Sequence, residues 1–143
     1  LRFMEGFTPE QAVAQPHPSH NHLLWQLGHL ALDFRWFAAA LDGQPDAITP
    51  EQQRLFGTGS TPTPNPDAYP ALADLRADLD AAWARLLAAA RTLTDADAPK
   101  PPASGTTDLA DRLDALTKCA WHTGWHTGQI AALRRALGLK AAW

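Results

Sequence analysis

The chain has 143 residues, 45% of them hydrophobic, with a formal net charge of -3 and a pI near 6.0. That length supports one domain, residues 1–143, with a sizeable core, and is short for two. Scattered lysines and arginines exclude the basic footprint of a nucleic-acid binder. The single cysteine, Cys119, excludes an intramolecular disulfide and nothing resembles a cleavable signal, so a cytoplasmic setting is expected.

The first five residues, LRFME, are helix-permissive and Gly6 can stop a helix, so a first helix cut short is expected there. Thr8, Pro9 and Glu10 then form a helix-start signature good for one or two turns. The proline-spaced stretch QPHPSHNH prevents continuation.

A second helix is predicted from a cap between Ser19 and Asn21 to about Leu41, ended by Asp42 and Gly43. Leu23, Leu27, Leu30, Phe34 and Phe37 form one apolar stripe, and Trp25, His29, Leu32 and Trp36 form another. A helix apolar on so much of its circumference belongs in the middle of a bundle. Residues 23–41 approach membrane-spanning length, but His29, Asp33 and Arg35 are too costly in hydrocarbon, so no membrane association is expected.

Residues 43–70, rich in proline, glycine and threonine, read as a long crossover loop with a short helix near Pro50 to Leu55. A third helix, about Pro70 to Leu93, carries Leu72, Leu75, Leu79, Ala82, Leu86, Ala90 and Leu93 at spacings of three and four. After a second loop, Thr107 or Asp108 is placed to cap a final helix reaching Leu137 and stopping at Gly138. Arg134 and Arg135, near its end, read as a pair complementing the helix dipole. No segment alternates with period two long enough for a strand, so the predicted class is all-α, a bundle of four packed helices.

The final helix holds the chemistry. His122 and His126 lie four apart, so both project from one face and can aim nitrogens at a common point. Two imidazoles make an incomplete metal site, since zinc and similar ions take three or four protein ligands. Of the remaining histidines, His17, His20 and His22 lie in or beside the proline-broken loop and are expected to be solvated. His22 also shares a helical face with Gln26 and His29. His29 is different because it sits mid-helix among tryptophan and leucine, where an unsatisfied polar group would cost about 1–3 kcal/mol. If the second and last helices are neighbours, His29 can face the pair and give three nitrogen donors with an open position.

The pattern NHLLWQLGHLALDFRWF, followed much later by HTGWHTGQIAALRRALG, resembles the DinB-like family. These are metal-binding four-helix bundles grouped with YfiT-type metal-dependent hydrolases and with bacillithiol or mycothiol S-transferases. The matching positions are Trp25, His29 and Leu30, then His122, His126, Gly128, Gln129 and Ile130, then Arg134 or Arg135 with Leu137 and Gly138. The resemblance spans about residue 7 to the end and departs from the family in lacking a full first helix. It implies a divalent metal on His29, His122 and His126, with zinc or nickel first and iron or manganese as alternatives. It also implies a homodimer and a small-molecule substrate such as a low-molecular-weight thiol.

Three neutral imidazoles leave a divalent ion its full charge, so it acts as a Lewis acid and acidifies a bound water or thiol. Hydrolysis and thiol S-transfer both follow, the second favoured by the resemblance. The alternative is a non-catalytic, stress-associated metal-binding dimer. A zincin peptidase is disfavoured, because Thr123, Gly124 and Trp125 separate the two histidines and supply no glutamate base. Asp33 and Gln129 are candidates for orienting ligands or a bound water, although Asp33 could equally be a surface carboxylate near Arg35. Cys119, one turn before His122, is a candidate fourth ligand or nucleophile, against the ordinary reading of an inert buried thiol. The six tryptophans, Trp25, Trp36, Trp83, Trp121, Trp125 and Trp143, are expected mostly to fill the core.

Overall fold

Five α-helices and two short 3₁₀ turns make up the computed structural model, which describes residues 2–18, 20–45 and 48–141. Among these residues there is no strand. The helices are α1 (Pro9–Ala12), α2 (Leu23–Asp42), α3 (Pro50–Phe56), α4 (Leu72–Thr92) and α5 (Arg112–Ala136). The turns are Arg2–Met4 and Pro66–Ala68. The all-α bundle expected from the sequence is therefore what forms. Its long members among the described residues are α2, α4 and α5, and the Arg2–Met4 turn packs on α5.

Helix α2 sits in the middle, against α4, α5 and α3. Its apolar stripes leave no solvated face over the first ten residues, and Leu23 to Leu32 are all buried. Each buried leucine contributes roughly 1.5–3 kcal/mol to holding the bundle around α2. Helix α4 offers the single stripe its spacing promises, burying Leu75, Leu79, Ala82 and Leu86. Across the α2–α4 seam Arg35 pairs with Asp78, and Arg85 reaches Asp42 at 3.4 Å.

Local signals fix most boundaries. Thr8 and Thr49 each close a capping box on a glutamine three residues on, with proline in the first turn. Gly43 ends α2 in the left-handed conformation at φ 73°, which a residue with a side chain adopts only at a cost. The starts of α2 and α5 differ from the sequence expectation. Helix α2 is capped by His22, whose Nδ1 accepts from the Trp25 amide at 3.1 Å. Asn21 is not the cap, and Ser19 lies outside the described residues. Helix α5 is capped by Asp111 rather than Thr107 or Asp108, because residues 98–113 first fold back on themselves. The amides of Arg112 and Leu113 donate to the carbonyls of Lys100 and Ala98.

Arg134 and Arg135 fall in the last turn of α5, where cations complement the dipole. Arg134 is also buried, at 7% exposed, and its guanidinium donates to the carbonyls of Phe3, Glu5 and Lys140. It ties the N-terminal turn to the end of α5. One further expectation changes: the tryptophans do not mostly fill the core. Trp25 is buried and Trp36 half-buried, but Trp83, Trp121 and Trp125 are exposed, and Trp143 lies outside the described residues. The reason is that α5 packs on α2 through Ala115, Cys119, His126, Ile130 and Leu133. Trp121 and Trp125 fall on its other side, their rings 5.7 Å apart.

Candidate metal centre

The α2–α5 contact brings His29 to the His122 and His126 pair. One ring nitrogen from each lies within 4.8 Å of the others. Ring centroids are 5.4 Å apart for His29 and His122, 5.0 Å for His29 and His126, and 4.5 Å for His122 and His126. These are spacings at which three imidazoles can share one ion.

The far nitrogens of two of the rings are already engaged. Nδ1 of His29 donates to the Phe56 carbonyl at 2.8 Å, and Nδ1 of His126 donates to Gln26 Oε1 at 3.2 Å. Both bonds fix the tautomer so that Nε2 carries the free lone pair, the arrangement that outer partners impose on metal-binding histidines. The Trp25 indole stacks on the His29 ring at 4.4 Å and holds its plane. Burial, with the neighbouring His122 and His29 adding to it, pushes His126 down to about 4. It is therefore neutral at pH 7, the form a metal requires.

The crossover segment proves to be part of the site. His22 Nε2 donates to the Thr63 carbonyl at 3.1 Å, and Trp25 Nε1 to Ser60 Oγ at 2.7 Å. His29 then takes the Phe56 carbonyl at the end of α3. His22 at the cap of α2, with Trp25 and His29 on the helix, thus binds residues 56–63 to the side of α2 that carries His29. His22 is wholly buried, not solvated as expected, and burial pushes it down to about 4. Its proline-rich surroundings gave no sign of this, because the burying segment comes 41 residues later.

Asp33 lies between two of the rings. Its Oδ2 is 3.2 Å from His29 Nε2 and 2.6 Å from His122 Nε2. It is not the surface partner of Arg35, which pairs with Asp78 instead. Gln129 stands against His126, and its Oε1 is buried without a hydrogen-bond partner. Cys119 stands outside the three-histidine group, and burial pushes its thiol up to about 11, the opposite of what a nucleophile at neutral pH needs. Gln26 is the residue the sequence under-reported. It was visible only as sharing a face with His29, and its partner on α5 is 100 residues away.

A model described as the DinB superfamily matches residues 1–130. The chain belongs to the DinB superfamily. No curated protein and no solved structure matches it. The superfamily match covers α2 and both histidines of α5, so it includes every residue of the cluster.

The residues present fit a divalent ion. Oδ2 of Asp33 and Nε2 of His122 are both buried without a hydrogen bond, although they approach to 2.6 Å. Such orphaned atoms cost free energy unless something meets them. Three imidazole nitrogens beside a carboxylate oxygen suit zinc, nickel, iron or manganese. A cavity of about 360 Å³ opens on this point and is lined by His29, Leu32, Asp33, Trp36, Ile48 and Asp108, among others. No helix among the described residues is long and apolar enough to cross a membrane.

Proposed function

We propose that the chain is a metal-dependent transferase acting on a low-molecular-weight thiol, with His29, His122 and His126 holding a divalent ion, zinc or nickel first. The observation that carries this is the three ring nitrogens within 4.8 Å of one another, drawn from two helices and opening on a cleft large enough for a small molecule. When bound, such an ion supplies Lewis acidity and favours the thiolate over the thiol at neutral pH.

The chain's own residues do the rest. Phe56 and Gln26 hold two imidazoles in register through their outer nitrogens. Trp25 stacks on His29, and its indole nitrogen anchors the segment 56–63 beside the site. Trp36, Leu32 and Ile48 give the cleft an apolar wall, while Asp33 and Asp108 give it acceptors for donor groups of a substrate. Asp33, beside the imidazoles, is the group placed to take a proton from an entering thiol. Hydrolysis would use the same donors with water in place of thiol. The exposed Leu113, Trp121 and Trp125 on α5 support a homodimer.

Metal analysis of protein purified without a histidine tag, followed by a thiol-conjugation screen with and without chelator, tests the proposal. Conjugation that falls with metal removal and returns on adding metal is expected. Conjugation unchanged after complete removal would refute it. A tightly bound metal with no turnover on any thiol or ester would favour the non-catalytic metal-binding alternative.

A further inference from the structure

The position of Asp33 says more than that it is near the site. A carboxylate that only orients a ligating histidine bonds the nitrogen pointing away from the ion. For His29 and His126 those outer nitrogens are taken by Phe56 and Gln26. Asp33 instead faces the inner side, with Oδ2 at 3.2 Å from His29 Nε2 and 2.6 Å from His122 Nε2. Two ligand atoms on one tetrahedral ion, at bond lengths of about 2.0–2.2 Å, are roughly 3.3–3.6 Å apart. The separation from His29 is just under that edge, and the one from His122 is well under it, so Oδ2 and the His122 ring would draw apart to share an ion. The short approach is not a hydrogen bond, since both of its atoms lack one.

We infer that Asp33 is itself a metal ligand, its Oδ2 the fourth donor beside the three imidazoles. This rests on the reading of His29, His122 and His126 as ligands. Helix geometry makes it possible, because Asp33 follows His29 by one turn and the two side chains share a face of α2. Asp33 stands outside the group whose donor atoms all lie within 4.8 Å of one another, so its carboxylate would move toward His126 to join the other three. The four donors differ in access. His126 is 4% exposed and pinned by Gln26, whereas the side chains of His122 and Asp33 are 26% and 23% exposed, and Asp33 lines the cleft although its Oδ2 is buried. One negative charge in the donor set also strengthens the hold on a cation and softens its Lewis acidity.

The test is a crystal structure of the untagged protein loaded with zinc, with a chelator competition on the wild type and on Asp33→Asn. A zinc ion on the three histidines with an Asp33 oxygen at bonding distance is expected. The Asp33→Asn dissociation constant for zinc should rise by about 100-fold, at or beyond the upper end for loss of an outer partner. Zinc on the three histidines with solvent in place of the carboxylate, or an Asp33→Asn affinity within twofold of wild type, overturns the inference and leaves the three-histidine reading intact. Failure of the wild type to take up zinc overturns both. Circular dichroism confirms that Asp33→Asn is folded.

Discussion

Acid should weaken this fold through His22, and the size of the effect follows from its burial. Nδ1 accepts from the Trp25 amide and Nε2 donates to the Thr63 carbonyl, so only the neutral ring with its proton on Nε2 satisfies both. Protonation would turn Nδ1 into a donor facing a donor, in a wholly buried position. Burial holds the folded pKa near 4, below the ordinary 6.5. With the folded value depressed, the unfolded chain binds the proton first as pH falls. Stability is fully present above about 6.5, declines between 6.5 and 4, and has lost the whole contribution below 4. At pH 4.5 the loss is about 2.5 kcal/mol, from 1.36 kcal/mol for each unit of difference. His22→Asn keeps a good N-cap but cannot titrate, so it should cost about 1–2 kcal/mol at pH 7.5 for the lost Thr63 bond and packing. Its stability should then fall less steeply, and the gap to wild type should close or reverse by pH 4.5. Urea denaturation of both proteins in chelator, at steps from pH 7.5 to 4.5, measures this, because every other titrating group is common to both. Parallel curves across that range would refute the account of His22.

Two other perturbations follow from particular contacts. Arg134→Met removes the donor that serves the carbonyls of Phe3, Glu5 and Lys140, and should destabilise by about 2–4 kcal/mol in urea denaturation. Arg135→Met, next to it but exposed, should stay within about 0.5 kcal/mol, and equal effects would contradict the clasp. Gly28→Ala would drive a methyl group into the ring of Phe56, which is buried at the end of α3. It should cost about 1–3 kcal/mol by overpacking. It should also weaken metal binding, since the Phe56 carbonyl orients His29. Wild-type zinc affinity in a chelator competition would show that α3 does not hold that ring.

The sequence by itself determined what depends on neighbours along the chain. Capping at Thr8 with Pro9, the stop at Gly43, the wholly apolar start of α2 and the shared face of His122 and His126 are all consequences of residues within about one or two turns. So was the prediction that a mid-helix His29 needs a polar partner. Which partner it has was decided only by tertiary structure, because the packing of α2 on α5 joins residues almost 100 positions apart and α-helical periodicity carries no information across that distance. The same holds for the turn of Asp33 toward the imidazoles, the burial of His22 beneath a segment that follows 41 residues later, the Arg134 clasp and the exposure of Trp121 and Trp125. Each depends on which helix face meets which, and hydrophobicity alone does not rank a tryptophan face above a face of alanine, cysteine and histidine. The face that meets α2 is the one that places His126 against Gln26 and His122 against Asp33.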